Sequence, residues 1–159
     1  MRTQSPYPHL SNVGTPPSSL TDYRLLERLL HPLGWQVSAI AVREAFARPN
    51  VSDVARMLSC SPRQLQRRFD EALLPPPQRL VTLSRWLPVV DLLAIANESV
   101  RDLARALGFD APRELYRAAT REVHVSIPEM RRGGVAPRLI AELGTGYQRA
   151  RHLESNAAL

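Results

Sequence analysis

The chain of 159 residues contains no lysine and one cysteine, Cys60, and aromatic residues make up only 6% of it. A single cysteine excludes an internal disulfide and fits a reducing compartment. It also has no His or Cys neighbour at metal-ligand spacing, so Cys60 reads as a small packed residue, with a metal ligand or redox switch as the competing readings. The four histidines, His9, His31, His124 and His152, are scattered. No Ser-His-acid arrangement or carboxylate pair accompanies them, so the chain does not read as an enzyme and no cofactor is implied. Long hydrophobic runs are missing too. The most apolar stretch, "WLPVVDLLAIA", is too short to span a bilayer and contains Pro88 and Asp91. Residues 1–20 lack a charged segment followed by an apolar one, so no signal peptide is expected. The expectation is a soluble, cytoplasmic protein.

Arginine and a sufficient apolar fraction are what the chain does have. Its formal charge is +6, every one of its 21 basic residues is arginine, and 44% of residues are hydrophobic, enough for a packed core. Arginine is the side chain best matched to phosphates and guanine edges. A basic balance in a small protein points first to nucleic acid, then to an acidic protein or membrane surface.

Along the chain, helix signals dominate. Residues 1–20 hold four prolines and almost no charge, which predicts a disordered arm. An additional helix is expected over 21–36, with Leu25, Leu26, Leu29 and Leu30 as its stripe and an end near Pro32 and Gly34. "QVSAIAVREAFA" reads as a helix with Ile40, Val42 (or Ala41) and Phe46 inward; a strand is the competing reading of "WQVSAIAV". Asn50 caps a short helix, with Asp53 placed for a capping box. Ser61-Pro62 opens the next, proline standing where its missing N–H costs nothing. Residues 77–97 read as one long helix that Pro88 should kink. Leu80, Leu83, Leu87, Val90 and Leu93 on it, with Trp86 and Trp35, read as core. Ser99 caps another helix with Asp102 three positions on. "APRELYRAATREV" forms the last, and residues 133–159 read as a polar tail carrying a short helix. No segment alternates with period two, so the fold class is all-α.

Two of these helix pairs repeat. "NVSDVARMLSCS" over "SVRDLARALGFD" aligns cap, acid, Ala-Arg, Leu and turn. The second helices match after a slip of one residue, Leu65 with Leu115 and Arg67 with Arg117. Short paired helices joined by a tight turn make a helix-turn-helix. Leu58, Leu65 and Phe69 in the first unit, and Leu107, Phe109 and Leu115 in the second, form the inner faces. Arg63, Gln66 and Arg67 then stand together at i, i+3 and i+4 on the outer face, as a base-reading helix requires. Arg56 and Arg68 flank it and suit phosphates. Arg113, Tyr116 and Arg117 occupy the corresponding face of the second unit. An ordinary solvated face is the competing reading of each set, more so in the second unit because Glu114 and Glu122 lie nearby. A bridging helix of about twenty residues is roughly 30 Å long, close to the ~34 Å between successive major grooves.

"VSDVARMLSCSPRQLQRRF", Pro77 at the start of the bridging helix, and "SVRDLARALGF" at the right distance resemble the AraC/XylS-type transcription regulators. In that family two helix-turn-helix units are joined by a long helix. The resemblance covers about residues 38–132 and implies a first subdomain over 37–76, a linker over 77–97 and a second subdomain over 98–132. It implies base-reading positions at Arg63, Gln66 and Arg67, and at Pro112, Arg113, Tyr116 and Arg117. The chain departs from the family pattern at several places. Ser59 replaces a turn glycine, Ala119 a phenylalanine and His124 a glycine, and the proline after the second unit comes one place late. With Pro112 and Glu114 on the second reading helix, the first unit is expected to carry most base discrimination. About 37 residues precede the matched region, too few for a ligand-binding barrel, so no small-molecule ligand is inferred. The expected partners are double-stranded DNA and, for a regulator of transcription, RNA polymerase. Monomer and homodimer both stay open. The rival readings are a protein-interaction scaffold using the apolar linker and the N-terminal helix, and the DNA-targeting module of a recombinase or transposase.

Overall fold

The computed structural model describes residues 30–144, and the arm and most of the first leucine stripe lie outside them. Seven helices are delimited: α1 Pro32–Arg43, α2 Val51–Met57, α3 Pro62–Glu71, α4 Pro77–Ile95, α5 Val100–Ala106, α6 Pro112–Val123 and α7 Ile127–Arg132. A 3-10 turn, Ala45–Ala47, follows α1, and residues 135–144 form α8. No strand occurs among the described residues.

Capping fixes where the short helices begin. Asn50 and Asp53 exchange hydrogen bonds of 2.9 and 3.0 Å at the head of α2. Ser61 and Gln64 do the same for α3 at 2.8 and 3.1 Å. Ser99 accepts from the Asp102 N–H on α5, and Ser126 forms a box with Glu129 on α7. These bonds satisfy N–H groups that no preceding turn can reach, typically contributing about 1 kcal/mol each.

The core is built around α4. Leu80, Leu83, Trp86, Leu87, Val90 and Leu93 are buried, and so are Val81, Val89 and Leu92 between them. A helix apolar on this much of its circumference is a core helix rather than an exposed strut. α1 lies along it, α7 covers another face, and α2, α3 and α6 also pack on it. The Ser38 and Ser84 hydroxyls, both fully buried, pair at 2.8 Å where α1 crosses α4. Either serine alone would leave its partner unsatisfied, at a cost of about 1–3 kcal/mol. Because the leucines of α4 are used internally, they offer no apolar face to a partner protein. Pro88 lies inside α4, which runs without interruption from Pro77 to Ile95.

Two expectations need correction. The additional helix expected over 21–36 does not hold residues 32–36: His31 caps α1 through its ring nitrogen, Pro32 takes the first turn, and α1 runs across residue 36, while residues 21–29 lie outside the described residues. Proline is favoured at that position, so the same residue that stops one helix starts the next. Phe46 is not inward; it is 43% exposed, because the 3-10 turn breaks the helical register after Glu44. Val37 and Ala41 carry the buried face of α1, with Ile40 and Val42 only half-buried. The short helix expected in the tail is α8, and its Val135, Ala136, Leu139, Ile140 and Leu143 are buried in the common core.

Candidate nucleic-acid interface

Each helix-turn-helix is held from behind by small and aliphatic side chains. In the first, Val54, Ala55, Leu65 and Phe69 are completely buried, and Leu58 half-buried. In the second, Leu103, Ala104, Leu107, Leu115, Ala118 and Ala119 are buried, with Phe109 closing the turn. Ala55 and Ala104 sit at corresponding places in the first helix of each pair, where a larger side chain would push the two helices apart. Leu65 and Phe69, at i and i+4, fix the roll of α3 about its axis. Truncating Phe69 to alanine would cost about 3–5 kcal/mol and release that roll.

The opposite side of α3 is therefore solvent. Arg63, Arg67 and Arg68 are exposed and Gln66 is half-exposed. Arg63 and Arg68 have no charged partner among the described residues, whereas Arg67 faces Glu71 across 3.6 Å. Gln66 Nε2 donates to Asp70 Oδ1 at 2.8 Å. Arg56 on α2 is exposed and lies 3.5 Å from Asp53. Exposed pairs of this kind contribute about 0–1 kcal/mol, so they hold these side chains only loosely.

On α6, Arg113, Tyr116 and Arg117 are exposed at i, i+3 and i+4, with Tyr116 41% exposed. The two acids near them do not neutralise this face. Glu114 accepts from the Asp110 N–H at 3.2 Å and so serves the head of the helix, where Ala111 provides no side-chain cap. Glu122 turns inward. Its Oε2 accepts from Arg85 Nη2 at 2.7 Å and Trp86 Nε1 at 2.8 Å, both on α4.

In the sequence Glu122 counts among the acids near the outer face, whereas its carboxylate points into the fold. Burial alone would raise the pKa of Glu122, but the hydrogen bonds from Arg85 and Trp86, with the charges of Arg85 and Arg121, hold it below the ordinary glutamate value. Arg48 also approaches Glu122, at 3.9 Å, and its guanidinium lies 3.9 Å over the Phe109 ring. The available signal is Arg85 itself. A cation in the middle of a largely buried helix needs a partner acid, and Glu122 lies seven residues after the buried Leu115, two turns along the same face.

The described residues contain no group of acids, histidines and cysteines able to hold a metal. None of their helices is long and apolar enough to cross a membrane.

Residues 54–133, half of the chain, match the family described as a helix-turn-helix domain, of the AraC type. No curated protein and no solved structure matches the chain. The match runs from the first helix of the first unit, through α4, to the end of α7, so it takes in both helix pairs and the helix between them. The chain belongs to the AraC/XylS-type helix-turn-helix family of DNA-binding, transcription-regulating domains.

Proposed function

We propose that the protein is a sequence-specific regulator of transcription that docks α3 and α6 in successive major grooves of one double-stranded DNA. The observation that carries this reading is shared by the two helices. Each has its inner side sunk in the core and an outer side bearing two arginines and one further hydrogen-bonding side chain at i, i+3 and i+4. Arg63 and Arg67 suit guanine O6 and N7, and Gln66 suits adenine N6 and N7. Arg56 and Arg68, beside that face, suit phosphates and set register. On α6, Arg113 and Arg117 make the ionic contacts and Tyr116 offers a hydroxyl and an aromatic face; base discrimination rests mainly on α3. At 19 residues α4 is about 28 Å long, so one chain spans roughly the groove repeat of ~34 Å without a second copy. RNA polymerase is the natural second partner of a regulator bound in this way.

Selection from a random duplex pool at physiological salt tests the proposal. An enriched motif with two half-sites about ten base pairs apart is expected. Binding that depends on salt but enriches no sequence would overturn specific readout.

A further inference from the structure

Glu122 is where the two helix-turn-helix units and the linker are fastened together. Its side chain is 13% exposed and that of Arg85 is 12% exposed. Besides donating to Glu122, Arg85 donates through Nη1 to the carbonyl of Pro49 at 2.9 Å. Pro49 immediately precedes Asn50, the cap of α2. One carboxylate thus joins the last turn of α6, the middle of α4 and, through Arg85, the entrance to the first unit. Arg48 reaches the same carboxylate from that entrance and stacks on Phe109 in the turn of the second unit. Arg79, further back on α4, donates to the backbone carbonyl of Glu122 at 2.6 Å and pairs with Glu142 on α8.

Apolar packing resists separation of helices but is weakly directional, whereas charge-assisted hydrogen bonds fix angle and register. At these exposures, bulk water is a poor substitute partner for either ion. DNA makes the precision matter: each base pair added between two sites moves them by about 3.4 Å and turns them by roughly 35°.

We infer that Glu122 is a positioning residue that sets the separation and rotational phase of α3 and α6, and thereby selects the spacing of the two half-sites in the operator. This rests on the two-groove reading proposed above. Glu122 faces away from the outer side of α6 and bonds to none of Arg113, Tyr116 and Arg117; on its own helix it accepts only from the neighbouring Arg121, at 3.3 Å. Its loss therefore leaves the reading faces intact and loosens only the relation between them.

The test uses the full chain and fluorescence anisotropy, with duplexes carrying one half-site or two half-sites separated by about 8 to 12 base pairs. Wild type should prefer one spacing by about tenfold over its neighbours, equivalent to ~1.4 kcal/mol. Glu122→Gln should compress that preference to about threefold or less while still binding the single half-site. The lost negative charge raises affinity at every spacing alike and so cancels in the ratio. Trp86→Phe removes one bond to the carboxylate while keeping an aromatic ring, and should fall between; it carries the test if the glutamine variant fails to fold. An unchanged spacing profile in the variants would overturn the inference, as would equal losses on single and paired sites. Wild type binding half-sites with no preferred spacing would overturn it alone; wild type binding no duplex would overturn the DNA reading itself.

Discussion

Ser59 and Gly108 occupy the same joint, one in each helix-turn-helix, with left-handed φ values of 55° and 76°. The N–H of Ser59 reaches the Arg56 carbonyl and that of Gly108 the Arg105 carbonyl, both at 3.0 Å. The next residues, Cys60 and Phe109, close onto Ala55 and Ala104 at 3.0 and 2.9 Å. The turn thus keeps its geometry without glycine, and serine bears the strain of a conformation that a Cβ disfavours by about 1–2 kcal/mol.

Ser59→Gly should stabilise the protein by about 0.5–1 kcal/mol, because the relieved strain exceeds the added entropy of the unfolded chain. The reciprocal Gly108→Ala should cost about 1 kcal/mol. A Cβ at Gly108 meets nothing within 4 Å, so that loss would come from the backbone alone. Urea denaturation of both variants at neutral pH checks the pair.

Arg67→Ala should weaken binding to the selected operator by about 1–3 kcal/mol and relax preference at one base pair. Arg68→Ala should weaken operator and random duplex alike and reduce the salt slope by about one. Anisotropy titrations at several salt concentrations separate the two. Identical behaviour of the variants would mean the readers are assigned wrongly.

Glu71 lies beside Arg67 at the end of α3, with both side chains about two-thirds exposed. Removing its charge frees Arg67 and takes a negative group away from approaching phosphates. Glu71→Gln should therefore bind random duplex about two- to fivefold more tightly, the scale of one exposed pair. Unchanged affinity would place the end of α3 away from the backbone.

Acid should weaken the Glu122 fastening. Arg48, Arg85 and Arg121 surround this carboxylate. Its pKa is lower folded than unfolded, so its contribution is complete above the unfolded value of about 4.3 and is lost as pH falls through the folded value. Glu122→Gln should be less stable than wild type by about 2 kcal/mol at neutral pH. The gap should narrow once pH drops below about 4. Urea midpoints at the two pH values report it.

Most of the helical plan is legible in the sequence because capping is local chemistry. Asn50 with Asp53, Ser61 with Pro62, and Ser99 with Asp102 mark three helix starts within four residues of chain. The outward set on α3 is equally legible, since Leu65 and Phe69 fix the opposite face. What escapes is what depends on distant partners. Pro32 reads as a helix end in the sequence, and the His31 cap makes it the opening of α1. Phe46 continues an apolar rhythm until a 3-10 turn shifts its direction. The short helix after Gly133 and Gly134 is legible, but that Val135, Leu139, Ile140 and Leu143 join the common core is not, because its partners lie far off in the chain. Glu122 looks like one more surface charge until Arg85, 37 residues earlier, is placed beside it.

The most direct test of the central claim is methylation interference on the selected operator. Dimethyl sulfate modifies guanine N7 in the major groove and adenine N3 in the minor groove. If α3 and α6 lie in successive major grooves, methylated guanines in both half-sites should block binding, with protein still bound to duplexes methylated at adenine N3. Interference confined to adenine N3, or none at either position, would contradict the account.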